Sequence, residues 1–380
     1  MLTLKELVEP ERGIRYGIVQ PGRFDHTGRF MIRGQDYSEA KGWAQPDEVF
    51  RVSDEIESRY KNARVKSGDL IITIVGYCGH VEVIPDWLDG ANLTQTTARI
   101  AVDKKRASAS FCRYMLQSPV GRMQVANNLK GAAQPGLNCG DVEKFLLPLP
   151  ARRDEQSAIA TALSDVDALL AAQDALIAKK RAVKQGAMQE LLTGKRRLPG
   201  FGGEWEVERL GDVAHIKTGS RNNEHKVDDG DYPFFVRSEF VERIDGYAYD
   251  CEAILVPGEG KIGEVFHYIT GRFDVHQRVY AITQFTAEVS GQFVHLFMKG
   301  SFGQWAMQNT VKATVDSLRL PTFQNFLLRL PPTKGEQVAI VKALSDMDAE
   351  ITALETQRAK TVHLKQGMMQ ALLTGRIRLI

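Results

Sequence analysis

An internal duplication restricts the fold of this chain more than any other feature of its sequence. Residues 155–198 recur as residues 336–379, an offset of 181 residues, and 24 of the 44 positions are identical. Each copy starts with Glu-Gln, continues through Ala-Leu-Ser-Asp and Lys-Gln-Gly, and closes with Leu-Leu-Thr-Gly. The segments that precede the two copies correspond only weakly. The sequence therefore predicts an alternation of variable domain, similar segment, variable domain and similar segment.

The two similar segments have the composition of long helices. Residues 155–192 and 336–373 lack proline and are rich in Ala, Leu, Gln, Glu and Lys, and both end at Thr-Gly, where glycine suits a left-handed cap. In the first segment we assign heptad position a to Ile159, Val166, Gln173, Lys180 and Ala187, and position d to Ala162, Leu169, Leu176, Val183 and Glu190. In the second segment, position a holds Ile340, Met347, Leu354, Thr361 and Met368, with Leu344, Ile351 and Leu372 alongside. Because polar residues interrupt this seam, it favours an antiparallel pair of helices over a parallel zipper.

The helices are separated by roughly 140 residues of another domain, which excludes a local helical hairpin. Each would be about 55–60 Å long at 1.5 Å per residue, more than one and a half turns of B-DNA. We therefore expect the pair to hold two domains at a fixed distance.

The variable segments have strand-and-turn composition. Short apolar runs at 69–75, 98–102, 253–256 and 279–282 are separated by glycine and Asn/Asp turns. One helical pair, 108–117 and 119–129, interrupts the first set, with a counterpart near 293–308. These patterns predict an α+β protein with β-rich domains at 1–150 and 199–332, and helical spacers at 151–198 and 333–380.

The turns carry side chains suited to nucleic acid. Arg, Asn and Gln contact base edges, while Ser, Thr, Lys and backbone amides contact phosphate. In the first domain the candidates are Tyr77, His80, Asn92, Thr94, Gln95, Thr96, Lys130, Gln134 and Asn138. In the second they are Arg221, Asn222, Asn223, Lys261, His276, Gln277, Arg278, Lys312, Thr314 and Ser317. Any one of them could be a solvated polar turn, but their recurrence at matching positions favours DNA binding.

Signs of catalysis are missing from the sequence. Gly258–Gly263 fits GxGxxG, but β-branched and aromatic residues follow it, so we interpret it as a strand–turn–strand loop and not as a dinucleotide site. We find no P-loop, zinc-protease or nucleophile-elbow motif, and no Asp/Asn-Pro-Pro-aromatic motif of amino-methyltransferases. The four cysteines form no CxxC pair. We expect no catalytic residue, metal or cofactor on this chain.

Bulk properties narrow the class of protein only a little. The net charge of +2 neither supports nor opposes nucleic-acid binding, because local basic faces can hide in a balanced total. No run approaches the ~18 apolar residues of a membrane span, and the first residues do not resemble a signal peptide. We expect a reduced, cytoplasmic protein.

The order of segments and their motifs resemble the specificity subunits of type I restriction-modification enzymes. The resemblance lies in Glu-Gln-x-x-Ile at 155–159 and 336–340, in Leu-Ser-x-x-Asp, Lys-Gln-Gly and Leu-Leu-Thr-Gly, and in the opening Trp-Glu-Val-Glu-Arg-Leu-Gly-Asp at 205–212. The first domain departs from the pattern, with only Leu-Lys-Glu-Leu at 4–7 and no tryptophan. The resemblance covers essentially the whole chain.

The resemblance implies a division of labour. Each variable domain would be a target-recognition domain for one half of a bipartite, asymmetric DNA site. The paired helices would set the unread gap and dock two modification subunits, and restriction subunits would complete the complex. S-adenosylmethionine, ATP and Mg²⁺ would belong to those partners. As partner contacts we select exposed helix positions, with helix–helix core as the alternative for the methionines: Gln185, Met188, Gln189, Gln366, Met369 and Gln370.

Three other functions are compatible with parts of this pattern. A self-sufficient methyltransferase or nuclease would need the missing catalytic motifs. A coiled-coil scaffold that joins two other proteins would show no salt-dependent DNA affinity. An orphan DNA-targeting or anti-restriction factor would keep DNA binding without the enzyme complex.

Overall fold

The computed structural model describes residues 1–38, 42–131, 135–309 and 317–379. These residues form two compact units. Unit 1 comprises Met1–Asp174 and Gln357–Ile380, and unit 2 comprises Ala175–Thr356. Each of the two long helices therefore contributes one half to each unit. Within the described residues, no helix combines the length and apolarity needed to cross a bilayer.

Unit 1 is built on small sheets. A four-stranded antiparallel sheet has the order β2-β10-β7-β8, and a three-stranded sheet has the order β6-β3-β9, in which β3 and β9 are parallel. The strands are β1 Leu2–Thr3, β2 Ile14–Tyr16, β3 Arg29–Ile32, β4 Tyr37–Ser38, β5 Gly42–Trp43, β6 Arg51–Val52, β7 Leu70–Thr73, β8 Val81–Val83, β9 Asn92–Leu93, β10 Thr97–Ile100 and β11 Leu146–Leu147. The helices are α1 Leu4–Leu7, α2 Asp54–Glu57, α3 Ala109–Gln117, α4 Pro119–Asn128 and α5 Cys139–Val142.

Unit 2 contains one larger, mixed sheet with the strand order β13-β18-β16-β17-β14-β15, in which β14 and β17 are parallel. The strands are β12 Glu206–Arg209, β13 His215–Thr218, β14 Tyr232–Phe235, β15 Glu242–Ile244, β16 Tyr249–Pro257, β17 His267–Val275, β18 Val279–Thr283 and β19 Leu327–Leu330. The short helices are α7 Leu210–Val213, α8 Gly291–Gln308 and α9 Leu320–Gln324. The GxGxxG segment joins β16 to β17, which confirms a strand–turn–strand loop.

The predicted long helices are confirmed as α6 Arg153–Leu191 and α10 Lys334–Leu372. Gly194 and Gly375 follow them with φ angles of +73° and +72°, as expected for glycines that end a helix. The counterpart of the helical pair α3–α4 is a single helix, α8. Pro119 starts a new helix after Ser118, whereas Ser301 at the matching place in unit 2 lets the helix continue.

The predicted heptad register is wrong at its second position in α6. The second line of the seam lies one residue later than expected. It passes through the buried Leu163, Ile177 and Leu191 and the half-buried Leu170 and Lys184. Ile177 is 5% exposed, whereas its neighbour Leu176 is 40% exposed. In α10 the seam passes through Leu344, Ile351 and Leu372, as predicted.

Cross-helix ion pairs show the direction of the helices inside each unit. In unit 1, Asp167 of α6 pairs with Lys365 of α10 at 2.6 Å, and Asp174 pairs with Arg358. Residue numbers therefore rise along one helix as they fall along the other. In unit 2, Lys180 pairs with Glu350 at 2.6 Å and Lys184 pairs with Asp348, which gives the same antiparallel direction. These pairs explain why polar residues are present in the seam.

Each unit is attached to its helices by the same hydrogen bonds. In unit 1 the buried Gln156 of α6 accepts from Ser108 N (2.9 Å) and donates to Pro150 O (2.9 Å). In unit 2 the buried Gln337 of α10 accepts from Ser290 N (2.8 Å) and donates to Pro331 O (3.4 Å), the counterpart of Pro150, and also to Glu288 O (3.1 Å). The two serines begin α3 and α8. The recurring Glu-Gln motif therefore fixes each β-rich domain on a helix.

A second recurring contact uses the glutamate of the same motif. The buried Glu155 carboxylate accepts from Arg378, near the end of the chain, and this pair lowers the pKa of Glu155. Glu336 accepts in the same way from Arg197, which follows α6. The apolar cores also continue into the helices, through Ile159 and Leu163 in unit 1 and their counterparts Ile340 and Leu344 in unit 2. In each unit the long helices thus share an apolar core with part of the β-rich domain.

Candidate nucleic-acid interface

A cleft of about 440 Å³ lies in unit 1 where three strands end. Its lining includes residues that follow β3, β7 and β9, namely Arg33, Gln35, Tyr77, Thr94, Gln95 and Thr96. The structure thus brings together four of the residues predicted from sequence. We name this set, with the neighbouring turn, the unit 1 cleft.

The turn that carries Tyr77 is fixed by two glycines and by the side chain of Thr73. Gly76 and Gly79 have φ angles of +81° and +92°, a region that glycine adopts without strain. Thr73 locks the turn, since its hydroxyl donates to Tyr77 O (2.5 Å) and accepts from His80 N (2.9 Å). Tyr77 itself is 88% exposed, so its ring is available for stacking or for contact with a groove.

Other predicted residues of unit 1 have different positions. His80 is half-buried behind the turn. Lys130 pairs with Asp141 (2.5 Å), and Asn138 accepts from Asp141 N (2.9 Å) to cap α5. Both lie near the cleft, because Val75 and Lys130 each form a β-bridge with Gly136. Gln134 lies outside the described residues.

Asn92 is not available to a ligand. It is 0% exposed, its amide donates to Glu57 Oε1 and to Tyr60 O (both 3.1 Å), and its oxygen accepts from Leu93 N (2.8 Å). It begins β9 and satisfies its polar atoms inside the unit. We therefore remove Asn92 from the candidate interface.

A cleft of about 540 Å³ lies in unit 2, beside the loop that follows β14 and the turn that follows β16. Its lining residues are Asn223, Lys226, Val236, Arg237, Ser238, Glu242, Glu259 and Gly260. Strand β14 is parallel to β17 as β3 is parallel to β9, so the loop after β14 and the turn after β16 correspond to those that follow β3 and β7 in the unit 1 cleft. Gly260 and Gly263 repeat the positive φ angles of Gly76 and Gly79.

Ion pairs organise the basic residues around the unit 2 cleft. Glu259 accepts Arg237 (3.3 Å) and Arg278 (3.2 Å), and Glu239 pairs with Lys261 (2.9 Å). The hydrogen bond from Lys261 to Glu239 raises the pKa of the lysine, so its ammonium group stays charged at neutral pH. To contact phosphate, these basic side chains would have to leave their glutamate partners. Exposed ion pairs contribute little to stability, so this exchange costs little free energy.

The remaining candidates of unit 2 surround the cleft without lining it. Arg221 donates to the buried Asp274 (3.1 Å), and Asn222 N donates to His225 Nδ1 (3.0 Å). Gln277 is exposed, with its backbone N bonded to Arg221 O (2.8 Å). Ser317 forms a β-bridge with Glu259. Lys312 and Thr314 lie outside the described residues.

His276 is buried, contrary to its prediction as a contact residue. It is 5% exposed, and its Nδ1 accepts from Arg278 N (3.0 Å). Burial, together with the nearby guanidinium groups of Arg237 and Arg278, lowers the pKa of His276. His276 therefore acts as a neutral ring that holds Arg278 in place, and not as a residue that contacts DNA directly.

Comparison with known proteins gives the family of the chain. The family described as the type I restriction modification DNA specificity domain matches residues 26–179 and again residues 202–364. These two matches span well over half of the chain. The chain belongs to this family.

Two curated relatives of this specificity-domain family are similar in sequence to part of the chain. The EcoBI type I restriction enzyme specificity subunit of Escherichia coli is 28% identical over 156 residues, which are 41% of this chain and 32% of the relative. The EcoDI specificity subunit of the same organism is 25% identical over 171 residues, which are 45% and 37% of the two chains. The matched part spans about a third of the length of these relatives.

Solved structures of type I restriction-modification S subunits have a similar fold. The S subunit from M. genitalium matches with a TM-score of 0.61 at 14% identity, over 98% of this chain and 95% of that one. The HsdS subunit of Thermoanaerobacter tengcongensis gives a TM-score of 0.53 at 17% identity, over 99% and 96%. At such low identity these likenesses concern the fold alone.

Sequence patterns did not predict several cleft residues of this specificity-domain protein. Arg33 and Gln35 line the unit 1 cleft, and Lys226 and Arg237 line the unit 2 cleft. All four lie outside the repeated segments. Arg33 follows Met31–Ile32, and Arg237 follows Phe234–Phe235. These two apolar pairs lie in the parallel strands, and matching them to each other would have been the signal for both arginines.

The predicted partner-contact residues divide into two kinds. Gln185, Gln189, Gln366 and Gln370 are exposed on the helices. Met188 and Met369 are half-buried and pack against the cores of unit 2 and unit 1. The two methionines therefore belong to the core, the alternative given above, and not to a free surface for a partner.

The described residues hold no group of three or more His, Cys, Asp or Glu side chains arranged to bind a metal ion. Cys78, Cys112, Cys139 and Cys251 are free thiols. Burial raises the pKa of each. Thiols with raised pKa values are poor nucleophiles at neutral pH.

Proposed function

We propose that this chain is the DNA specificity subunit of a type I restriction-modification complex, and that each unit recognises one half of a bipartite, asymmetric site. The observation that carries the proposal is the pair of clefts built from equivalent strand ends and turns in two units of one chain. The clefts differ in their side chains, so the same scaffold would recognise two different half-sites.

The two clefts suit different contacts with DNA. The unit 1 cleft offers Arg33 and Gln35 for base edges, two threonine hydroxyls for phosphate and the exposed Tyr77 ring. The unit 2 cleft offers Arg237 and Lys226, with Arg278 beside it on Glu259, and these side chains suit guanine and phosphate. Glu259 between the two arginines would also accept from a cytosine amino group.

The helices complete the proposed mechanism. Each β-rich domain is fixed on a helix through the Glu-Gln motif, so helix length would determine the number of base pairs left unread. The exposed glutamines at 185, 189, 366 and 370 recur in both copies and would dock two identical modification subunits. Those subunits would bind S-adenosylmethionine, and the restriction subunits would use ATP and Mg²⁺. In this proposal the chain itself positions the complex and performs no chemistry.

Selection of duplexes from a random library tests this proposal, with the full chain bound to its cognate modification subunit. Tyr77→Ala with Gln95→Ala should remove sequence information from one half-site only. Arg237→Ala with Arg278→Ala should remove it from the other half-site. Lys179→Ala, an exposed helix residue outside both clefts, serves as the control and should leave both half-sites unchanged.

Two outcomes would contradict the proposal. If both double variants lose the same bases, the clefts do not act as independent readers. If the wild-type complex selects no sequence and binds duplex DNA without salt dependence, the chain acts as a protein scaffold.

A further inference from the structure

A second pocket in unit 1 is basic and separate from the cleft. It has a volume of about 400 Å³, and its lining includes Arg12, Lys61, Arg64, Lys66 and Arg99. Arg99 lies on β10, three residues after Thr96 of the cleft. At about 3.3 Å per residue this separates the two positions by roughly 10 Å along the strand.

Arg99 is a buried cation without a carboxylate partner. Its side chain is 2% exposed, and it donates to the backbone oxygens of Arg64 and Arg12. Its Nε has no hydrogen-bond partner among the described residues. Burial lowers the pKa of Arg99 to about 10, which still leaves it charged at neutral pH. Burying a charge that no opposite charge contacts is costly, so a bound anion would stabilise this site.

The other charges of the pocket are distributed unevenly. Arg12 is compensated by Asp69 (2.9 Å), and Arg64 by Glu57 (2.6 Å). Lys61 and Lys66 are exposed and form no ion pair within the described part of the chain.

Two carboxylates also line the pocket, those of Glu11 and Asp89. The Asp89 carboxylate is engaged, because its Oδ1 accepts from Ser67 N (2.9 Å). Lys61 and Lys66 therefore remain as the positive groups that a ligand can reach directly, and the buried Arg99 adds a positive charge behind them.

In unit 2 an uncharged residue occupies the position of Arg99. Arg99 pairs with Ile71 across β10 and β7, and Ala281 occupies the matching place opposite Leu255 across β18 and β16. Ala281 is buried and uncharged. The buried charge of Arg99 is therefore not part of the duplicated scaffold and needs an explanation of its own.

We propose that this pocket binds one phosphate-type oxyanion, held by the ammonium groups of Lys61 and Lys66 and attracted by the uncompensated charge of the buried Arg99 guanidinium. Guanidinium and ammonium groups bind phosphate oxygens through charge-assisted hydrogen bonds. The phosphate could come from a small molecule or from a DNA backbone, and the experiment below distinguishes these two sources.

Isothermal titration of the full chain with sodium phosphate, against sodium chloride of equal ionic strength, tests the site. Wild type should bind one phosphate saturably. Lys61→Ala with Lys66→Ala should weaken its Kd at least about tenfold, the scale expected for lost charge-assisted bonds. Arg99→Met should weaken it as well, and the lysine variant still decides the matter if Arg99→Met fails to fold. Lys179→Ala with Lys195→Ala removes the same charge from exposed sites elsewhere and should leave Kd unchanged.

The salt dependence of duplex DNA binding identifies the source of the phosphate. If the pocket contacts a DNA backbone, the Lys61/Lys66 double variant should weaken binding to all sequences and flatten the slope of log K against log salt by up to about two, and the control should not. An unchanged slope would assign the site to a small phosphate compound. The proposal is overturned if wild type binds phosphate no better than chloride, or if the pocket and control variants lose phosphate affinity equally. The phosphate titration does not depend on the proposed function, so either can fail alone.

Discussion

Gln337 is the residue through which the structure predicts that unit 2 depends on helix α10. Replacing it with leucine keeps the volume similar but removes the two short bonds to Ser290 N and Glu288 O and the longer one to Pro331 O (3.4 Å). It also leaves the buried Ser290 N–H without an acceptor. Two neutral hydrogen bonds contribute about 1 kcal/mol each, and an unsatisfied buried donor costs about 1–3 kcal/mol. These values overlap in part, so we expect Gln337→Leu to lower the free energy of unfolding by about 2–4 kcal/mol.

Urea denaturation and thermal unfolding of the full chain measure this effect. For a unit of this size the loss corresponds to a Tm lower by roughly 5–15 °C. Gln156→Leu should produce a similar loss in unit 1, where it breaks the bonds to Ser108 N and Pro150 O. Gln357→Leu, at an exposed position of the same helix, should stay within about 0.5 kcal/mol of wild type. If Gln337→Leu behaves like that control, the glutamine does not attach the domain to the helix and our reasoning is wrong.

Three further predictions concern the helices and the pH dependence of stability. Ile177→Ala should lower the free energy of unfolding by about 2–4 kcal/mol in urea titrations, whereas Leu176→Ala should cost less than about 1 kcal/mol; equal losses would refute the seam described above. Burial lowers the pKa of His295 to about 4 from the ordinary 6.5, so the neutral ring stabilises unit 2 above pH 6.5. That contribution should be lost as the pH falls from 6.5 toward 4, and His295→Gln should show a flatter profile of Tm against pH over this range. Inserting four residues into both long helices should widen the unread gap by about 6 Å, or roughly two base pairs, in duplex selection, and a change in the half-sites themselves would contradict the spacing role.

Sequence alone predicted the helices well because their signals are local and repeated. Helix-forming composition, flanking prolines and terminal glycines placed α6 and α10 within about two residues, the usual uncertainty of helix ends. The register of α6 was harder to predict, because Leu169, Leu176 and Val183 are as apolar as the residues of the true seam. The choice between the two depends on partners such as Glu350 and Asp348, which lie far away in sequence on the other helix.

The candidate interface was predicted only in part. Tyr77 and Gln95 were found because glycine turns and a repeated position marked them. Asn92 and His276 have the same residue types and similar neighbours, but the strand register turns them inward, where Glu57 and Arg278 satisfy them. Arg33 and Arg237 were missed because they follow strands that carry no repeat. Which polar residues of a β-rich domain reach solvent is decided by strand pairing between distant segments, and composition does not encode it.

The central claim, that one chain presents two independent readers at a fixed spacing, is tested most directly by a long-read methylation profile. DNA would be taken from a methylation-free host that expresses the full chain with its cognate modification subunit. We predict a methylated motif made of two unlike half-sites separated by a constant number of unspecified base pairs. A continuous or palindromic motif, or no methylation with both proteins expressed, would contradict the account.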